Sequence, residues 1–294
     1  MQGVDLHTHS NISDGTLSPE QLVHAAIEKG IHTLALTDHD TMDGVKLAEK
    51  VALDLPLNII SGVEISSQWS RPATQKSYGV HIVALNMQNP EPLQILLEQQ
   101  KQIRAIRAKQ ICDLLIPLIG QDIYADVVAK VDGIADRITR THIAKTLVEK
   151  KIVNRPQQAF DKYIKEGKKA YVKFDGLGLE ETIKVIQASE GYAVLAHPTK
   201  YDLSATNIRY LIEIFAKFGG DAVELPPAIE PASTRQMVDR MIEEFDLKVS
   251  VGSDFHGDHM PWIRLGNIPR LKEGQVGIWE SFVVYYFSLS LTPS

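Results

Sequence analysis

Short apolar runs of four to eight residues recur along this chain, separated by longer stretches in which apolar positions repeat every three or four residues. The runs at Val4–His7, Thr33–Thr37, Asn58–Ile65, His81–Asn86, Ala193–Ala196, Ala222–Leu225 and Lys248–Gly252 read as strands. Most of the stretches between them read as helices. The first shows its own start signal. Ser18 is placed to cap it, Pro19 takes the first helical position, Gln21 completes a capping box, and Gly30 closes it. About seven strand–helix units predict an α/β fold of barrel-like βα type, with chemistry gathered at the C-terminal ends of the strands.

His81 breaks that rule, because it precedes its apolar run. An antiparallel pairing of Asn58–Ile65 with His81–Asn86 would bring it back beside Glu64. The polar connection Ser67–Tyr78 then reads as a loop over the site, with Trp69 able to stack a base at its rim.

Between Pro90 and Glu180 the strand rhythm stops. Leu93, Leu96, Leu97, Ile103, Ile106, Ile111, Leu114 and Leu115 mark a helix of several turns. Further helical segments are expected at Thr141–Lys150 and Gln157–Gly167. Residues 1–99 and 179–294 are therefore expected to form the barrel, and residues 100–178 a helical insertion capping its mouth. The tail from Leu289 is expected to be mobile.

Composition changes this picture in two ways. The net charge of −6 argues against a general nucleic-acid coat, but the charge is uneven. Leu96–Asp175 holds sixteen Lys or Arg against ten Asp or Glu, a net of +6, which leaves −12 for the rest. An acidic body with a basic appendage suits a short polyanion, and Arg104, Arg107, Lys109, Arg137 and Arg140 are candidates for the path of a strand. The single cysteine, Cys112, lies in an apolar helical phase and reads as a buried thiol. No apolar stretch approaches the roughly 20 residues of a membrane helix. The start of the chain lacks a basic-then-apolar leader, and a cytoplasmic protein is expected.

The candidate chemistry sits at the edges of the apolar runs: Asp5-Leu6-His7-Thr8-His9-Ser10, Thr37-Asp38-His39, Gly62-Val63-Glu64-Ile65, Gly79-Val80-His81-Ile82, Ala196-His197-Pro198 and Gly252-Ser253-Asp254-Phe255-His256. His7 and His9 are two apart, so on an extended segment both imidazoles point the same way. Asp254 and His256 repeat the spacing. Six strand ends that each offer a nitrogen or oxygen ligand are what a multinuclear metal site needs.

These motifs, with Ile138-Thr139-Arg140-Thr141-His142-Ile143-Ala144 and Pro261-Trp262-Ile263, resemble the polymerase-and-histidinol-phosphatase (PHP) metallophosphoesterases nearly end to end. Within that family the chain is most similar to the RNase AM type. The resemblance implies a distorted seven-stranded βα barrel and three divalent ions, Mn²⁺ first, with Zn²⁺ or Fe²⁺ also suited to such ligands. It implies that His7, His9, Glu64 and Asp254 hold one ion, that Asp14, His39 and His256 hold a second, and that His81 and His197 hold a third, with Glu64 bridging. It implies attack of a metal-bridged hydroxide on phosphorus in nucleotide phosphate esters. The substrates would be RNA 5′ ends, in a 5′-3′ exoribonuclease, or nucleoside 3′,5′-bisphosphates, in a 3′-phosphatase. Arg140 is the expected phosphate clamp, since guanidinium pairs with phosphate bidentately, and Lys200 a further phosphate contact. His142 is expected to orient phosphate or protonate the leaving oxygen.

Neighbouring residues read more plainly. Asp38 is expected to support His39 as a hydrogen-bond acceptor, and Asp40 and Asp43 to belong to the start of the next helix. His24, His32 and His259 read as surface or packing residues. A small-metabolite phosphatase of the histidinol-phosphatase kind and a non-catalytic PHP module are the competing readings. The Arg140/His142 segment argues against the first, and the full set of nine ligand positions against the second.

Overall fold

The computed structural model describes residues 3–71, 76–258 and 262–282. Seven strands lie side by side in chain order: β1 (Val4–Thr8), β2 (Thr33–Leu36), β3 (Asn58–Arg71), β4 (Lys76–Leu85), β5 (Tyr192–Leu195), β6 (Ala222–Glu224) and β7 (Lys248–Ser250). β4 runs antiparallel to both neighbours, and the other pairs are parallel. Parallel pairs need crossovers, and four helices supply them: α1 (Pro19–Glu28), α2 (Val45–Ala52), α8 (Ala205–Lys217) and α9 (Ala232–Glu244), while α7 (Leu179–Ala188) leads into the antiparallel pairing of β5 with β4. Ser18 caps α1, and the reciprocal bond from Ser18 N to the Gln21 side chain completes the capping box.

The sheet curls until its ends meet. Leu6 N donates to Val251 O (3.0 Å), Asp254 N to His7 O (2.8 Å) and His9 N to Phe255 O (2.9 Å), which joins the segment after β7 to β1. Gly252 permits that approach, since a Cβ there would lie 2.2 Å from the Cβ of His7. Leu34, Ala35 and Leu36 are all buried, as expected of a strand covered on both faces. Each such leucine contributes roughly 1.5–3 kcal/mol through burial.

The insertion begins inside one 29-residue helix, α3 (Glu91–Ile119). Its first turns pack Leu93, Leu96 and Leu97 on the barrel core. Its last turns pack Ala108, Ile111, Cys112 and Leu115 into a separate core with residues of α4 (Tyr124–Ala129), α5 (Arg140–Glu149) and α6 (Pro156–Ala159). Gly120 ends α3 in the left-handed conformation (φ 76°). The chain rejoins the sheet where Gln68 N donates to Leu177 O (2.9 Å). Burial pushes the Cys112 thiol up to about 12. Among the described residues no helix is long and apolar enough to cross a membrane.

Two expectations change. Ser67–Tyr78 is mostly strand, because the β3–β4 ladder continues to Arg71↔Lys76. Trp69 is consequently no rim residue: it is 3% exposed and stacks on Tyr78. The expectations for His259, Pro261 and the tail from Leu289 fall outside the described residues.

Candidate active site

Strands β1, β3 and β4, with the segments after β1, β2, β5 and β7, bring all nine expected ligands into one basin. His7 is on β1, and His9 and Asp14 follow it. His39 follows β2, Glu64 lies on β3, His81 on β4, His197 follows β5, and Asp254 and His256 follow β7. Side-chain donors lie within 4.8 Å of one another in four groups: His9, Asp14, His39 and His256; His7, His197 and Asp254; His7, His9 and Glu64; and His39, Glu64 and His81.

Glu64, fully buried, is the hub. Its Oε1 lies 2.7 Å from His81 Nδ1 and 2.9 Å from His197 Nε2. Its Oε2 lies 2.9 Å from His39 Nδ1, 3.3 Å from His9 Nε2 and 3.4 Å from His7 Nε2. The antiparallel β3–β4 register, Ser66↔His81, makes the His81 contact possible. Asp254 Oδ1 approaches His7, His9 and His256 at 3.4–3.6 Å, and Asp14 Oδ1 lies 3.4 Å from His256 Nε2. His197 (φ 27°) and Asp254 (φ 56°) hold their positions with left-handed backbone, a strained arrangement that concentrates at functional sites.

The electrostatics is that of a cation site. Burial opposes charge on Asp14, Glu64, Asp254, His7 and His9, yet the neighbours override it. His39 and His256 hold the Asp14 carboxyl well below its usual range, and His81, His39 and His7 do the same for Glu64. His7 and Lys200, with the His9 hydrogen bond, lower Asp254. Conversely, Glu224, Glu64 and Asp254 hold His7 well above its ordinary value, while Asp254 and Glu64 raise His9 to about 10. His39 falls, through burial.

The donor set fits divalent metal. Buried side-chain atoms without a hydrogen bond gather here: His7 Nε2, both ring nitrogens of His9, His39 Nδ1, His197 Nδ1, Asp14 Oδ1 and Glu64 Oε2. Leaving such atoms unmatched costs about 1–3 kcal/mol each, and imidazole with carboxylate and no thiolate suits Mn²⁺, Fe²⁺ or Zn²⁺.

Several positioning groups carried no signal strong enough to single them out. Glu224 Oε2 lies 2.7 Å from His7 Nδ1 and leaves Nε2 facing the basin. The only hint was a carboxylate inside the apolar run Ala222–Leu225. Asp5, fully buried, accepts from Ser253 N and Gly266 N, both at 2.9 Å, and so ties β1 to the loop bearing Asp254.

Asp38 does not support His39. Its carboxylate accepts from Ser10 N (2.8 Å), Ser10 Oγ (2.6 Å) and Ser13 Oγ (2.6 Å), which fixes the turn that carries Asp14. Asp40 is no helix-start acid either. α2 begins only at Val45, and Asp40 is buried, pairing with Arg104 and accepting from Ser66 N at 2.7 Å.

The residues expected to meet substrate divide into three places. Arg140 lines a cavity of about 180 Å³ with His81, Arg107, Lys173, Phe174 and Glu166. Burial together with the like charges of Arg140 and Arg104 lowers Arg107 to about 9, and burial also lowers Arg140. Lys200 lies in the basin, with Nζ 2.8 Å from Asp254 Oδ2. His142 is buried at the third position of α5, where its Nδ1 accepts from the N–H of Thr139 (3.0 Å), and burial lowers it to about 4.

Comparison with known proteins agrees with this geometry. The PHP domain family matches residues 5–107. The chain is 40% identical to a 5′-3′ exoribonuclease of Haemophilus influenzae over 95% of its own length and 98% of the relative's. It is 33% identical to a 3′,5′-nucleoside bisphosphate phosphatase of Chromobacterium violaceum, covering 87% of this chain and 88% of that one. Among solved structures, a C. violaceum amidohydrolase with bound sulfate and no metal superimposes with a TM-score of 0.85, 31% identity and 95% coverage of both chains. A metal-dependent phosphoesterase from Bifidobacterium adolescentis gives 0.79 and 27% identity, covering 95% of this chain and 94% of that one. With near-complete coverage at 40% identity, and with the basin at the strand ends, this chain belongs to the PHP family of phosphoester hydrolases.

Proposed function

We propose that this protein is a metal-dependent phosphoesterase of nucleotides, acting on RNA 5′ ends as a 5′-3′ exoribonuclease and on nucleoside 3′,5′-bisphosphates as a 3′-phosphatase. The observation that carries the reading is the convergence of six histidines and three carboxylates, Glu64 at their hub, in one basin beside a small cationic cavity that shares His81. The two activities are one reaction. In each, the O3′ of a 5′-phosphorylated nucleoside leaves phosphorus, and the substrates differ in whether that phosphorus bears a further nucleotide.

His7, His9, Asp14, His39, Glu64, His81, His197, Asp254 and His256 would hold three divalent ions, for which we propose Mn²⁺. Bound there, these ions supply acidification of a water and neutralisation of phosphate oxygens. The chain's own residues do the rest. Arg140 and Arg107 receive the 5′-phosphate, the one group common to both substrates, and hold the O3′–P bond over the basin. Lys200 offers a second cation to the scissile phosphate. With Nδ1 of His142 accepting from Thr139, the neutral ring carries its hydrogen on Nε2, so His142 serves as a neutral hydrogen-bond donor to a substrate oxygen. Residues 100–178 act as a cap, and a cytoplasmic location fits RNA ends and nucleotides as substrates.

The test compares kcat/KM of Mn²⁺-loaded protein on a 5′-phosphorylated oligoribonucleotide, the same oligomer without its 5′-phosphate, and a 3′,5′-bisphosphate. The reading expects the 5′-phosphorylated oligomer and the 3′,5′-bisphosphate to be cleaved and the oligomer without a 5′-phosphate to be poor. Equal rates with and without the 5′-phosphate overturn the cavity's role. Elemental analysis should give about three ions per chain, and full activity at one ion overturns the trinuclear centre.

A further inference from the structure

Arg104 is the residue through which the insertion reaches the basin. It lies on α3 at the join between the two cores, one turn before Ala108. Its side chain is 10% exposed and pairs with Asp40, the residue after His39. The same guanidinium donates to Ser66 Oγ at 3.1 Å, and one turn earlier Gln100 Nε2 donates to Ser66 O at 2.6 Å. Ser66 lies two residues beyond Glu64 on β3. Asp40 closes the loop: its carboxylate accepts from Ser66 N and its own N–H donates to Glu64 O at 3.0 Å. These contacts hold Asp40 at φ 51°, which aims His39 into a β-bridge with Glu64.

A buried ion pair is weak evidence for stability, because desolvation offsets much of its attraction. Stability alone therefore gives little reason for this pair, whereas its position gives a clear one. It locks the segment bearing His39 to the strand bearing Glu64 and both to a helix rooted in the cap. On its other side Arg104 shares the Phe174 ring with Arg107 of the cationic cavity, their guanidinium carbons 5.8 and 5.6 Å from its centroid.

We propose that Arg104 is a positioning residue: through Asp40 it fixes His39 against Glu64, and so sets the affinity of the basin for a divalent ion, without itself binding the substrate phosphate. The proposal rests on the metalloenzyme reading above. It also replaces the expectation that Arg104 lies along an RNA path, because the side chain is buried and engaged.

Three substitutions test it in the full-length protein, with Mn²⁺ as the probe. Arg104→Met removes the guanidinium. Asp40→Asn keeps the acceptor for Ser66 N and tolerates the left-handed backbone, but abolishes the charge that holds Arg104. Mn²⁺ binding is followed by calorimetry, with kcat and KM on a nucleoside 3′,5′-bisphosphate and melting of the chelator-treated protein alongside. The expected result is a loss of about 10–100-fold in Mn²⁺ affinity for at least one ion, the usual effect of removing a group behind a metal ligand. kcat should fall with it and KM should stay within about threefold. Arg104→Lys should recover part of the loss, because an ammonium still pairs with Asp40 but lacks the planar guanidinium that packs over Phe174. If Arg104→Met does not fold, Asp40→Asn decides alone. A raised KM with unchanged Mn²⁺ binding makes Arg104 a phosphate ligand and overturns the proposal. A lower melting temperature with Mn²⁺ binding and kcat intact reduces the pair to a structural role and overturns it too. Wild-type protein that takes up no Mn²⁺ overturns the metalloenzyme reading along with this one, whereas identical uptake by wild type and variants overturns only the role of Arg104.

Discussion

The basin and the cavity above His81 are both charged and partly buried, but they balance charge in opposite ways. In the basin, six imidazoles surround three carboxylates, and every titratable group lies close to one of opposite tendency. In the cavity, Arg107, Arg140 and Lys173 meet Glu166 as the acid among the lining residues, and the arginines crowd each other enough to lower Arg107 to about 9. The first region gathers ligand atoms without hydrogen bonds and calls for cations. The second gathers excess positive charge and calls for an anion. Their origins differ as well. The basin is set by strand register and by the buried side chains of Asp5, Asp38 and Glu224 behind its ligands. The cavity lies where the insertion packs on the barrel and is specified by side chains. Substitutions should therefore abolish chemistry in the basin and alter selectivity in the cavity.

Glu64→Gln should have the largest effect. Five histidines approach this carboxylate, and an amide cannot neutralise two cations. Turnover should fall to the detection limit and ion stoichiometry should drop. His81→Ala, which removes one terminal donor on a side chain 32% exposed, should leave measurable activity. Comparable residual rates for the two variants would show that Glu64 is one ligand among many.

Arg140→Gln tests the cavity. A hydrogen bond to a charged group contributes about 1.5–3 kcal/mol, so its loss should lower kcat/KM on 5′-phosphorylated substrates by about 10–100-fold. On an oligomer lacking the 5′-phosphate the loss should be small. An equal loss on both would place Arg140 at the scissile phosphate instead.

How much of this was legible depended on how far each contact reached along the chain. The seven strands and the capped first helix follow from local periodicity, and their bounds agree within two residues except where β3 and β4 run on through Ser67–Arg71 and Lys76–Val80. Most of the nine basin residues were legible as ligand types at the edges of apolar runs, where the fold rule and the family resemblance point alike. Asp14 was named by the resemblance alone, and His81 by the antiparallel pairing expected of its strand. The misses were long-range. Asp40 pairs with Arg104, 64 residues on, and Glu224 meets His7 across 217 residues; neither partner leaves a mark near the other. Trp69 was misplaced because the polar run Ser67–Ser70 hides a strand that continues past the site and buries every second side chain. For His142, expected to orient phosphate or protonate the leaving oxygen, the capping bond from Thr139 decides the tautomer, a fact available only from geometry.

Glu224→Gln should have a smaller effect. The amide keeps a hydrogen bond to His7 Nδ1 but removes the charge that raises the basicity of the ring. Such losses fall at the low end of the 10–100-fold range, so Mn²⁺ affinity should drop by about tenfold with little change in KM. An unchanged affinity would make Glu224 a packing residue.

The smallest effect is expected in the salt dependence, and it decides whether the insertion is a track for RNA or only a wall of the cavity. Of the five basic residues that charge alone suggested, Arg104 pairs with Asp40, Lys109 with Asp113, and Arg137 lies 3.7 Å from Asp43. Arg107 spends its Nε on Val172 O (2.9 Å), which leaves its terminal nitrogens and Arg140 to meet phosphate. Each neutralised phosphate on a single strand contributes roughly −0.7 to the slope of log affinity against log salt. Two phosphates, one in the cavity and one over the basin, give a slope near −1.4, or about a sevenfold loss between 50 and 200 mM salt; five would give about 130-fold. The 3′,5′-bisphosphate carries the same two phosphates, so its slope should match that of the oligomer. A slope near −3.5 for the oligomer alone would mean that the strand continues across the insertion, and that the ion pairs at Lys109 and Arg137 open to receive it.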